Sequence, residues 1–108
     1  MLTELLEKVL QAGGDELEIE YKAGKEWFTA FNGPVGFGIG SLDSEHAKWV
    51  FKEMAELKKR KQVRIGSRTY VLRFREFGSF GETVYRIQMK EIGSNKSVHR
   101  IAQESSFR

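Results

Sequence analysis

The chain of 108 residues has no cysteine, one proline and only two histidines. Without cysteine there is no disulfide, no thiol nucleophile and no thiolate zinc site. His46 and His99 lie far apart in sequence, and His46 alone builds no catalytic dyad. The sequence also lacks any apolar stretch near the ~20 residues that cross a bilayer. Its first residues, Met1-Leu2-Thr3-Glu4, open an amphipathic helix and not the basic-then-apolar run of a signal peptide. A cytoplasmic protein without a membrane span is the expectation. No cofactor, no metal site and no catalytic group are expected.

What is present is a globular composition: 40% hydrophobic and 31% charged residues, with 11 glycines. The length suits one domain able to bury its own core. The net charge of +3 conceals an asymmetry. Residues 1–45 hold nine acids and three bases, whereas residues 46–108 hold six acids and fifteen bases. Opposite-signed halves allow head-to-tail self-association or a basic face toward an anionic partner. If the fold interleaves the two halves, the charges largely cancel instead.

Apolar spacing sets the elements. Leu2, Leu5, Leu6, Val9 and Leu10 recur at helical intervals, with Thr3 as the expected N-cap and Gly13-Gly14 as the stop. Leu17, Ile19 and Tyr21 alternate with Glu16, Glu18 and Glu20, which predicts a strand with one buried face and one wet, acidic face. Lys22–Lys25 turns the chain into a second strand, Glu26–Asn32, with Trp27 expected in the core. After Asn32-Gly33-Pro34 comes a third strand, in which Val35, Phe37 and Ile39 share a face and glycines take the other. Asp43 or Ser44 caps a second helix that ends in Lys58-Lys59-Arg60-Lys61. Three further strands follow: Gln62–Ile65, Arg68–Arg75 and Glu82–Glu91, with a loop over 77–81. The prediction is an α+β fold of order α-β-β-β-α-β-β-β. Its sheet is mostly antiparallel, with two helices packed on one face. Residues 1–92 make the domain and residues 93–108 a flexible tail, from which Val98, Ile101 and Phe107 could dock.

Few constellations carry chemistry. The glycines at 36, 38 and 40 lack the spacing of a phosphate loop and no Gly-Lys-Ser/Thr follows. The three glutamates of the first strand share a face but have no second source of cation ligands. The basic set is richer: Lys61, Arg64, Arg68, Arg73, Arg75, Arg86 and Lys90 lie in the last three strands, beside Phe77 and Phe80. Arg73, Arg75 and Arg86 each alternate with a core residue, so they are expected on one sheet face. Guanidinium forks suit phosphate and carboxylate. Such a face fits nucleic acid or nucleotide, and an ordinary solvated sheet face has the same composition. Trp49 falls opposite the apolar stripe of its helix, where a tryptophan suits a partner contact.

Several stretches resemble a known family. Gly14-Asp15-Glu16-Leu17-Glu18-Ile19-Glu20 resembles the Ser-Asp-Ile-His-Ile-Glu strand in the N-terminal domain of type II secretion and type IV pilus ATPases. Trp27–Gly33 is similar to the next strand of that domain. Arg73-Phe74-Arg75 and Phe80-Gly81-Glu82-Thr83-Val84-Tyr85-Arg86-Ile87 are similar to its later strands. The resemblance spans about residues 3–90. It departs at Glu18, where the family has histidine, and the ATP-hydrolysing domain with its Walker motifs is absent. The resemblance implies a domain that helps assemble a ring, with Arg73 and Arg86 facing nucleotide held by another domain. The leading expectation is therefore a non-enzymatic interaction or assembly domain with a protein partner or a second copy. The alternative is a nucleic-acid or nucleotide-binding module using the late-strand arginines. Contacts are expected at Arg73, Arg75, Arg86 and Trp49.

Overall fold

A computed structural model describes residues 1–79 and 81–94. Their order is α1 (Leu2–Gln11), β1 (Glu16–Lys22), β2 (Lys25–Asn32), β3 (Val35–Asp43), α2 (Ser44–Arg60), β4 (Gln62–Ile65), β5 (Arg68–Ser79) and β6 (Glu82–Ser94). This is the α+β order predicted from the sequence. The expected tail from residue 95 onward, including Val98, His99, Ile101 and Phe107, lies outside the described residues, as does Phe80. Strand β6 continues through Ser94, past the expected boundary at 92.

Helix α1 begins two residues earlier than expected. Thr3 lies within the helix and Met1 takes the cap position with no side-chain hydrogen bond. The exposed N-terminal amides are met from α2 instead. The Leu2 amide donates to Glu53 Oε1, and the Met1 nitrogen lies 3.1 Å from Glu53 Oε2. A carboxylate at a helix N-terminus is favourable because the macrodipole is positive there. At the other end Gly13 adopts φ 87°, its amide bonds Leu10 O at 3.0 Å, and the Gly14 amide bonds Val9 O at 2.9 Å. This paired closure satisfies the last carbonyls and requires a left-handed residue.

The strands form a six-stranded sheet of order β3-β2-β1-β6-β5-β4. Every neighbouring pair is antiparallel. The β5–β6 ladder runs further than expected, through Phe77↔Val84, Gly78↔Thr83 and Ser79↔Glu82, so most of the predicted loop is strand. One face carries Leu17, Ile19, Phe28, Ala30, Tyr70, Leu72, Ile87 and Met89. These pack with Leu2, Leu5, Leu6 and Val9 of α1 and Val50, Met54 and Leu57 of α2. Each large aliphatic buried there contributes about 1.5–3 kcal/mol. Among the described residues no helix covers the other face.

Helix α2 is capped by Asp43, whose carboxylate accepts the His46 amide at 2.8 Å. It ends at Lys61, a left-handed residue with φ 59°. At about 1.5 Å per residue its 17 residues reach about 25 Å. Six strands about 4.8 Å apart are about 24 Å wide. The helix accordingly touches β2 and β3 at one side and β4 and β5 at the other.

Three residues expected to face the core, Tyr21, Trp27 and Phe37, sit outside it. Phe37 is 37% exposed and Val35 61% exposed, because β3 is an edge strand whose partner β2 lies on one side only. Trp27 is 43% exposed, because β2 turns Phe28 and Ala30 toward the helices and Trp27 away from them.

Two glycines separate packing from propensity. A Cβ on Gly14 would meet the Phe31 carbonyl oxygen at 2.7 Å, whereas one on Gly38 would meet nothing within 4 Å. Gly14→Ala is expected to destabilise the chain by about 1–3 kcal/mol, as overpacking does. Gly38→Ala is expected to be neutral or slightly stabilising. Urea unfolding of both variants measures the contrast.

Candidate functional site

The uncovered sheet face is the first place where chemistry-bearing side chains converge. Strand pairing lines up three rows across it. Thr29, Glu18, Arg86 and Arg75 form the middle row. Phe31, Glu16, Gln88 and Arg73 form the row on one side of it. Trp27, Glu20, Val84 and Phe77 form the row on the other. Arg73, Arg75 and Arg86 thus share one face, as alternation predicts.

Their surroundings differ from a free basic patch. Arg86 places Nη2 3.1 Å from Glu18 Oε1 and Nη1 3.6 Å from Glu16 Oε2. Arg75 Nη2 reaches Glu16 Oε2 at 2.9 Å. The Arg86 guanidinium lies 4.0 Å from the centroid of the Phe31 ring. A planar cation on an aromatic face, held between two carboxylates, is an arrangement arginine makes and lysine does not. The Arg86 Nε–H is buried without a hydrogen-bond partner among the described residues. The wet acidic face expected for β1 is corrected here. Glu16 is only 8% exposed, because Arg75 and Arg86 close over it. Val84, which belongs to no predicted core, is buried on this same face.

Arg73 remains. It is exposed, and no ion pair or hydrogen bond holds its side chain among the described residues. Exposed Lys90 pairs in register with Val71 on the same face. Trp27 lies beyond the acidic strand, its indole N–H donating to Lys22 O at 2.8 Å. Trp49 is away from this face, on the outer side of α2, and is 50% exposed. Lys48 Nζ and Lys52 Nζ sit 5.9 and 5.4 Å from its ring centroid. The four predicted contact residues therefore divide among three environments: Arg75 and Arg86 in an ion-pair network, Arg73 open, and Trp49 on another surface.

Two further features follow from the fold alone. Beside β3, a groove of about 510 Å³ opens between α1 and the strand, lined by Leu5, Lys8, Phe28, Ile39 and Leu42 among others. The second is a carboxylate pair: Glu26 and Glu82 share a shallow hollow with Tyr21, Phe51 and Tyr85. Burial raises the Glu26 carboxyl above its ordinary value, and the Glu82 charge adds to the effect. Among the described residues no three histidine, cysteine or acidic side chains are placed to hold a metal ion. No described helix is long and apolar enough to cross a membrane.

The chain matches no protein-family model, no curated protein and no solved structure.

Alternation in the sequence located the arginine face. It could not show that the facing glutamates would occupy two of the arginines, since that depends on β1 pairing with β6, a contact across about 70 residues of chain. The β3 groove gave only one sequence signal, the absence of charge from residue 33 to residue 42.

Arg86→Met leaves Glu16 and Glu18 with fewer partners and is expected to cost about 1–3 kcal/mol. Glu18→Gln combined with Arg86→Met is expected to cost less than the two single changes added together. Denaturant unfolding of the four-member cycle checks this. A carboxyl raised on folding opposes folding once ionised, so its cost is absent below the unfolded value, builds as pH rises toward the raised one and persists above it. Glu26→Gln is therefore expected to stabilise the chain at neutral pH and to give no gain below about pH 4. Unfolding at both pH values reads the difference.

Proposed function

We propose that this chain is a non-enzymatic interaction and assembly domain, and that its principal contact is the β3 edge. The observation that carries this reading is a long, uncharged edge strand. β3 is nine residues long and bears no charge before Asp43. One side of its backbone has no strand partner among the described residues. Proteins that avoid edge pairing use short strands, lysine, inward charges, proline within the strand or bulges, and of these β3 has a single bulge, at Ile39. The opposite edge, β4, is only four residues long and carries Arg64. On β3, exposed Val35 and Phe37 flank backbone groups free to add a strand. The groove against α1 gives an added strand apolar side-chain sites at Leu5, Phe28, Ile39 and Leu42. Backbone pairing supplies affinity in this mode and the side-chain sites supply selectivity. The resemblance to domains that help assemble secretion-ATPase rings agrees with an assembly role, and a cytoplasmic location accords with it.

A second reading is favoured by one observation. Exposed Arg73, with Lys90 on the same face and Phe77 exposed nearby, offers an anionic ligand a cation and an aromatic side chain. In this reading nucleic acid or nucleotide binds the basic half of the open face. The engagement of Arg75 and Arg86 by Glu16 and Glu18 leaves it fewer cations than the sequence promised.

Gly38→Lys tests the first reading, because the position has room for a side chain and a lysine obstructs edge pairing. The variant is expected to keep its fold and to lose the self-association or bound protein seen with the wild-type chain. Sedimentation of both proteins, purified from their own cells, decides. Unchanged complexes in a folded Gly38→Lys variant would contradict the reading. For the second reading, Arg73→Ala is expected to reduce single-stranded nucleic-acid binding in a fluorescence titration at low salt.

A further inference from the structure

We infer that the hollow where Glu26 and Glu82 meet the rings of Tyr21, Phe51 and Tyr85 is a binding site for an alkylammonium group. The inference goes beyond the β3 reading and does not rest on it.

Strand alternation places the first carboxylate. In β2, Ala30 and Phe28 face the helices and are buried. Glu26 is the next residue on that side, so a charge stands where the pattern calls for an apolar side chain. Its cross-strand neighbours are Tyr21 of β1 and Leu42 of β3. Phe51 of α2 and Tyr85 of β6 make a corner of two rings, with centroids 5.3 Å apart and planes inclined at 59°. Exposed Glu82 and Thr83 line the hollow from the start of β6. It measures about 340 Å³, within the range of small-molecule sites.

One component of the chemistry is missing. Carboxylates withdrawn from water are ordinarily paired with a cation. The acids of β1 keep this rule, with Arg75 and Arg86 on Glu16 and Arg86 on Glu18. No ion pair or hydrogen bond holds the side chain of Glu26 or Glu82 among the described residues. Lys22 and Lys25 stand at the ends of the adjoining strands and pair with neither. Burial and the Glu82 charge both work against an ionised Glu26. A cation between the two carboxylates relieves that repulsion.

The rings select the kind of cation. An aromatic face attracts positive charge, and its apolar body accommodates alkyl groups. A small hydrated metal ion prefers oxygen ligands and gains little from such walls. Among the described residues no three acidic or histidine side chains are placed to hold one. An alkylammonium uses both features, with its charge toward Glu26 and Glu82 and its carbons against Tyr21, Phe51 and Tyr85. A free amine and a lysine side chain present the same chemistry.

Nuclear magnetic resonance titration of the full chain is the test. The probes are n-butylammonium, tetramethylammonium and Nα-acetyl-lysine amide, with butanol and butyrate as neutral and anionic controls. Saturable shifts at the Tyr21, Glu26, Thr83 and Tyr85 amides are expected with n-butylammonium and with neither control. Equal binding of the lysine amide identifies a lysine side chain as an acceptable source, and its failure identifies a free amine. Glu26→Gln is expected to weaken binding about tenfold, through loss of a charge-assisted contact. This variant is the one expected to be more stable than wild type at neutral pH, so its loss of binding is not loss of fold. Phe51→Leu, which keeps an apolar wall and removes a ring face, is expected to weaken binding about threefold. Circular dichroism confirms that both variants are folded. The absence of saturation with every ammonium probe would overturn the inference. So would equal binding by Glu26→Gln, equal binding of butanol, or calcium chloride shifting the same amides at lower concentration than n-butylammonium. None of these results touches the β3 reading, which Gly38→Lys tests separately.

Discussion

The pairing of β1 with β6 holds the molecule together. Among the described residues it is the one strand contact that joins the two three-stranded halves. On the helix side it sets Leu17 against Ile87 and Ile19 against Tyr85, so the centre of the core lies directly on the seam. On the open side it sets Glu18 against Arg86. From that one register follow the Arg75–Glu16 contact, the stacking of Arg86 on Phe31 and the burial of Glu16. A one-residue slip would turn Leu17 and Ile19 to the solvent face and the glutamates to the core, so the apolar and ionic sides specify the same register.

The seam also decides where the charge goes. Placing β1 and β6 in the middle puts β3 and β4 at the two edges. The two edges are thereby separated by the width of the sheet, and α2 touches strands on both sides. Within the seam opposite charges meet and are neutralised at short range. At the edges the partners are exposed and local, as in Lys48–Glu45 at 3.3 Å and Lys58–Glu76 at 3.6 Å.

Much of this was legible in the sequence, for identifiable reasons. Helical spacing in Leu2–Leu10 and strict alternation in Glu16–Tyr21 identified elements whose buried faces are made of local residues. Alternation also put Arg73, Arg75 and Arg86 on one face. Misplaced features depended on distant partners. Thr3 was a reasonable cap by residue type, but Glu53 meets the helix start from α2. Trp27 and Phe37 are bulky and apolar, yet their exposure is set by which face β2 turns to the helices and by β3 lying at an edge. The acids of β1 looked solvated because their arginine partners lie nearly 70 residues later. Strand order, which sets β1 beside β6, has no local signal at all.

Backbone amide hydrogen exchange of the chain with and without its bound partner tests the central claim, that the β3 edge is a contact surface, most directly. The account predicts that protection in Ile39–Leu42 rises when the partner is bound, while the β1 and β6 amides at the seam stay protected throughout. Unchanged protection of β3 in a complex held through another surface would contradict it.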